Sequence, residues 1–312
     1  MPLDPHAKRF LERLAAVNPP SALSLSVAER REALRTLLGF AAPPPALGHI
    51  EDRSCEGPGG PLPLRIYTPA DADPGLLPGF VYFHGGGMVA GSVDTHDAIA
   101  RSLCAASGCR LVAVDYRLAP EARFPAAVED VLAATGWIAA HAGGLGIDPR
   151  RLAVGGDSAG ATLAAVVCQL AAAGRGPPLA LQFLLCPILD YMGTTASRRE
   201  LAAGYLVDGP TLQHDLRHYL AGVGQAADPR VSPLRAAQLA GLPPACIHTA
   251  EFDPLRDEGH DYAARLTQAG VPVRYHCHAG MIHLFYGLGA VIPPAAAAYA
   301  RMGADIRAML AV

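Results

Sequence analysis

A serine stands between two glycines in Gly156-Asp157-Ser158-Ala159-Gly160. The run before it, Arg151 to Val154, is short and apolar, as a buried strand is. The run after it, Ala161 to Cys168, is helix-like and almost free of charge. A serine at such a turn reads as a nucleophile elbow, with small neighbours and a hydroxyl exposed at a helix N-terminus, where partial positive charge favours a developing anion. The chemistry implied is acyl transfer. Three fixed residues in five are weak evidence for it in a chain holding 33 glycines. A complete site also needs donors for an oxyanion, a base, and an acid that orients the base.

Each has a candidate. Phe80-Val81-Tyr82-Phe83 reads as a buried strand running into His84-Gly85-Gly86-Gly87. Three glycines let the backbone turn away from the strand and aim N–H groups at a substrate oxygen. The expected oxyanion donors are Gly85, Gly86 and Ala159, with His84 bracing the loop. Ala245 to Ala250 reads as another strand, and Glu251-Phe252-Asp253-Pro254 leaves it, the proline holding Asp253 on a loop. Val271 to His278 reads as a last strand, with Ala279 to His283 as the loop beyond it. Ser158, Asp253 and His283 then sit just past strand ends, where open α/β sheets build their sites. Asp257 is expected to begin a helix. Asp115 precedes the serine and is expected to hold the glycine loop. His276 and His278 face the same way on a strand, but no cysteine or carboxylate cluster has ligand spacing beside them, so no metal is expected.

Taken together, His84 to Gly87, Asp115 to Glu121, Phe124-Pro125-Ala126, Gly156 to Gly160, Asp253 to Gly259 and Gly280 to His283 resemble the hormone-sensitive-lipase-like family of bacterial carboxylesterases, in the α/β-hydrolase superfamily. The matching segments keep the family's order. The resemblance implies an α/β-hydrolase fold, with a mostly parallel eight-stranded sheet flanked by helices and a helical cap. It also implies nucleophile Ser158, base His283, acid Asp253, a covalent acyl-enzyme, no cofactor, and activity on esters of short- to medium-chain acids. One or both of the Ala119-Pro120 and Phe124-Pro125 bonds are expected to be cis. Met88, Ala161-Thr162 and Leu284 depart from the commonest pattern, which leaves the pocket's shape open. An amide, a lactone or an acetylated compound remains an alternative substrate. The plant gibberellin receptors share the scaffold without the base, so His283 speaks against a binding protein.

The elements that position these residues follow from composition and rhythm. A chain of 312 residues, 51% hydrophobic, can bury one large α/β core and carry a cap. With a net charge of −3 and no basic run, nothing points to nucleic acid as a partner, and no apolar stretch reaches membrane-spanning length without charge, glycine or proline, so no membrane partner is expected. Residues 1–45 hold two helical patterns, the second opened by the capping box Ser26 to Glu29, with Glu29 to Glu32 as a solvated face. Residues 46–190 and 226–312 alternate strands and helices as a hydrolase core does. Residues 191–225 interrupt that rhythm and, with the N-terminal helices, are expected to form the cap. Met88, Tyr205 and Leu206 are the candidates for lining the pocket. Seven scattered cysteines without C-x-x-C, and an N-terminus with no basic-then-apolar run, lead to the expectation of a reducing, cytoplasmic location. The expected partner is a small-molecule ester, with a homodimer allowed.

Overall fold

Eight strands and nine helices build the described part of the chain, residues 1–72 and 75–311 of a computed structural model. The strands are β1 (His49–Gly57), β2 (Gly60–Thr68), β3 (Leu77–Phe83), β4 (Arg110–Val114), β5 (Ile147–Asp157), β6 (Leu181–Leu185), β7 (Ala245–Phe252) and β8 (Val273–Ile282). The helices are α1 (Pro5–Val17), α2 (Val27–Leu38), α3 (Asp97–Ser107), α4 (Ala126–Ala140), α5 (Ala159–Leu170), α6 (Ala196–Glu200), α7 (Gly209–Tyr219), α8 (Arg256–Gln268) and α9 (Ala295–Leu310). One sheet runs β1-β2-β4-β3-β5-β6-β7-β8. Its first two pairings are antiparallel and the other five parallel. The eight-stranded, mostly parallel sheet expected from the motifs is therefore present.

Central strands β3 and β6 are buried along their whole length, because helices cover both faces of a parallel sheet. Helix α5 is buried on almost every side, which explains why its sequence carries no charge and little amphipathic pattern. Two strands run further than their apolar stretches suggest. β5 reaches Asp157, and β8 continues through the expected loop to Ile282. A bulge between Ala250 and Phe252 on β7 lets Phe252 pair with Ile282 and carries the ladder past the glycine at 280. Both X-Pro bonds named above are cis. Among the described residues, no helix is long and apolar enough to cross a membrane.

The segments flanking this core are tied by side chains. Ser26 and Glu29 form the capping box of α2. Residues 23–25 and α7 meet where His214 Nε2 lies 3.1 Å from the Leu25 carbonyl. Glu258 on α8 is fully buried. It accepts from the N–H groups of Leu189 and Asp190 at 2.8 and 2.9 Å and pairs with Arg198 on α6. Burial pushes its carboxyl up, and Arg198 pulls against that. Removing one partner of such a pair leaves a buried charge and two orphan amides. Glu258→Ala is expected to destabilise the fold by about 3–5 kcal/mol in urea unfolding. A loss below about 1 kcal/mol would show that the pair does not anchor residues 189–198.

Candidate active site

Ser158 joins β5 to α5 with φ +53°, a strained backbone for a residue with a side chain. Its N–H donates to the Leu185 carbonyl at 2.8 Å. The strain is kept because the chain has no room to relax. A methyl on Gly156 would stand 2.4 Å from the Phe83 oxygen, and one on Gly160 would stand 2.0 Å from it. Glycine is needed at both places to let helix and strand approach.

Asp253 directly follows β7 and is fully buried. Its Oδ1 accepts from the Leu255 N–H at 2.8 Å, and its Oδ2 accepts from His283 Nδ1 at 2.7 Å. The other ring nitrogen, Nε2, lies 3.1 Å from Ser158 Oγ. Burial alone would lower the His283 pKa. The Asp253 charge and hydrogen bond outweigh it and hold the imidazole above its ordinary 6.5. Asp257 turns away, accepting from the Ser197 N–H at 2.7 Å and pairing with Arg256. The three sequence-predicted residues thus form one hydrogen-bonded chain from carboxylate to imidazole to hydroxyl, the arrangement that moves a proton off an attacking serine.

The glycine loop differs from the expected one in register. The Gly85 N–H donates to Asp157 Oδ1 at 3.0 Å, so it points under the loop rather than into the cavity. The N–H groups of Gly86, Gly87 and Ala159 have no acceptor among the described residues. Gly86 and Gly87 line the cavity beside Ser158, and both have positive φ, which only glycine adopts cheaply. Asp157 is the reason for the shift. Fully buried, it takes Tyr82 Oη at 2.5 Å and Tyr286 Oη at 3.0 Å as well as Gly85. Burial raises its pKa and the two tyrosines pull against that. His84 braces the loop, its ring stacked on Tyr116 at 4.3 Å, and Tyr116 Oη donates to the His84 carbonyl at 2.7 Å. Burial takes the His84 pKa down to about 4. Asp115 acts further along than expected, accepting from the Val93 N–H at 3.0 Å.

The cavity above Ser158 measures about 340 Å³. Leu206 lines it, with Leu14, Leu25, Leu34, Leu37, Ile188 and Leu212. Met88 and Tyr205 do not. Met88 is turned into the hydrophobic core, and Tyr205 stacks on Phe252 at 5.6 Å. Neighbouring His96, Arg30 and Asp215 also face the cavity, none of them singled out by local sequence. Arg30 had the pattern of a solvated helix face, yet it pairs with Asp215 of α7. Arg31 likewise bonds the carbonyls of Val89 and Ala119. His276 and His278 join His248, Cys246 and Asp305 behind the sheet. The Asp305 oxygens there are held by Arg274 and Arg301, cations already in place beside the only carboxylate of the cluster.

A family model described as alpha/beta hydrolase fold matches residues 80–287. The chain is 41% identical over 263 residues to esterase LipI of Mycobacterium tuberculosis, covering 84% of this chain and 82% of that one. It is 36% identical over 305 residues to an ethyl acetate hydrolase of Pseudomonas putida, covering 95% of each. Among solved structures, a thermostable esterase from Pseudomonas putida superposes with TM-score 0.94 at 36% identity, covering 99% of this chain and 98% of that chain. An esterase from Pyrobaculum calidifontis does so with TM-score 0.93 at 38% identity, covering 100% of both chains.

The close approach around Ser158 is open to test. In Gly160→Ala the added methyl meets two backbone oxygens, of Phe83 and His84, that cannot swing aside. Loss of about 3 kcal/mol or more is expected in thermal or urea unfolding. A variant as stable as the parent would mean that the elbow has slack.

Proposed function

The chain belongs to the hormone-sensitive-lipase-like carboxylesterases of the α/β-hydrolase superfamily, and from that premise we propose how its own residues hydrolyse an ester. Ser158 Oγ attacks the ester carbonyl while His283 Nε2 takes its proton. The developing oxyanion is met by the N–H groups of Gly86, Gly87 and Ala159, none of which has an acceptor among the described residues. Asp253 holds the tautomer of His283 and stabilises the imidazolium, which then gives its proton to the leaving alkoxide. Water activated by the same histidine cleaves the acyl-enzyme. The observation that carries this reading is the Asp253–His283–Ser158 chain at 2.7 and 3.1 Å.

Residues 1–45 and 191–225 supply cavity-lining side chains and act as the cap, closing a small apolar pocket. Seven free thiols, six of them buried, suit a reducing cytoplasm, where we place the protein.

Ser158→Ala is expected to leave less than about a thousandth of the parent activity and no fluorophosphonate label. Asp253→Asn should lose at least about 1000-fold in kcat, and Asp257→Asn less than about 3-fold. The parent's kcat/KM should fall with acid through a midpoint above 6.5, because the raised His283 pKa keeps the base protonated further up the scale. A reversed ranking of the two aspartates would move the acid to Asp257.

A cavity of about 340 Å³ suits acyl chains of about two to eight carbons. Butyryl p-nitrophenyl ester should turn over faster than the palmitoyl ester below micelle formation. The opposite order would make the pocket a lipase's.

A further inference from the structure

Plain ester hydrolysis leaves one feature of the catalytic cavity without a task. Arg30 of α2 and Asp215 of α7 line it together with Ser158 and His283. They form a bidentate pair, Nε to Oδ1 at 3.1 Å and Nη2 to Oδ2 at 2.8 Å. Their side chains keep only 12% and 5% of their exposure. An ion pair so buried stabilises a fold no better than well-packed apolar side chains do, and much of the wall beside it is apolar, with Leu14, Leu25, Leu34, Leu37 and Leu212. Charge in such a wall calls for something polar to meet.

The position of the pair says where. A methyl on Gly87 would lie 1.9 Å from Asp215 Oδ2, so the carboxylate stands against the glycine loop, on the cavity that Ser158 also lines. On its other side, Oδ1 also lies 3.0 Å from His214 Nδ1. Arg30 spends Nε and Nη2 on Asp215, and its Nη1 has no partner among the described residues. That nitrogen is not sealed from solvent either. The cavity therefore offers a charged donor next to a charged acceptor, close to the reacting atoms.

We propose that Arg30 and Asp215 form a polar subsite that selects short esters carrying a hydroxyl or keto oxygen two or three bonds from the scissile carbonyl. Arg30 Nη1 donates to that oxygen, and a hydroxyl there donates in turn to Asp215. This rests on the reading of Ser158 and the glycine loop given above. Plain alkyl esters still bind, because without a polar substituent the two charges continue to satisfy each other.

The test compares ethyl 3-hydroxybutyrate, ethyl acetoacetate and ethyl butyrate. In the parent enzyme, kcat/KM for the two oxygenated esters is expected to exceed that for the butyrate by about 10-fold, the worth of one hydrogen bond to a charged group. In Arg30→Met/Asp215→Leu that ratio should fall to within about 2-fold of one, with Ser158 still labelled by a fluorophosphonate. Arg30→Lys keeps the charge without the fork, and should give an intermediate ratio. If the pair only ties α2 to α7, all three esters lose rate together and the ratio does not move, which overturns the proposal. A parent ratio near one overturns it without any variant. Failure of the labelling in the parent would instead sink the assignment of Ser158, a separate outcome.

Discussion

Strand β3 ends against the first turn of α5 so closely that the Phe83 carbonyl occupies the space of any side chain at 156 or 160. That approach forces the backbone of Ser158 into positive φ and leaves it nowhere else to go. The first N–H groups of α5 then meet the end of β3, where the glycine loop begins. The free amides and the Ser158 hydroxyl share one place because two elements touch without side chains between them. The strain at Ser158 is held by the adjacent strands β3, β5 and β6 of the sheet, through bonds such as Ser158 N–H to Leu185 O. A more loosely packed junction would let the serine relax and the oxyanion donors drift.

Charge organises the rest. Asp157 has no exposure, and it survives there because Tyr82, Tyr286 and the Gly85 amide all donate to it. The same carboxylate decides which glycine amides of the triplet stay free. By taking the Gly85 amide it turns the next two outward. The triad obeys a similar logic. Asp253 is bound by Leu255 on one oxygen and His283 on the other, so its charge has one direction left in which to act. Buried carboxylates with every oxygen engaged fix the orientation of the glycine loop and of the His283 ring.

Much of this was legible in the sequence, for a reason that also marks its limit. The elbow, the glycine triplet and the loops bearing Asp253 and His283 are local signals. Each is a strand followed within a few residues by glycine, proline or a polar group. Where the partner is far along the chain, local reading fails. The Gly85 amide is taken by a carboxylate 72 residues away, so the choice among three identical glycines has no signature in the triplet itself. Met88 flanks the loop in sequence but turns into the core, as a long apolar side chain with burial on offer does. Arg30 and Arg31 sit in a run of four charges with the look of a solvent face. Arg30 meets a carboxylate 185 residues on, and Arg31 meets the carbonyls of Val89 and Ala119, 58 and 88 residues on.

Those two arginines bear on how the site is covered. Helix α2 reaches the core through Arg31 and reaches α7 through Arg30. Helix α7 is also held to the carbonyl of Leu25 by His214. Helix α2, the turn before it and α7 are therefore joined directly at the cavity that Ser158 lines, and not merely laid side by side over the sheet. Separating them would expose the Arg30–Asp215 pair and leave the Leu25 carbonyl without its ring donor, costs that fall together because the groups are contiguous. Loose, independent flaps would carry their polar groups on the outer surface, where water can take them over. Here most of the polar contacts lie on the inner face, where the two helices satisfy each other's groups. The Arg30–Asp215 pair that lines the pocket also joins α2 to α7, so the shape of the cavity and the placing of these two helices depend on the same few contacts.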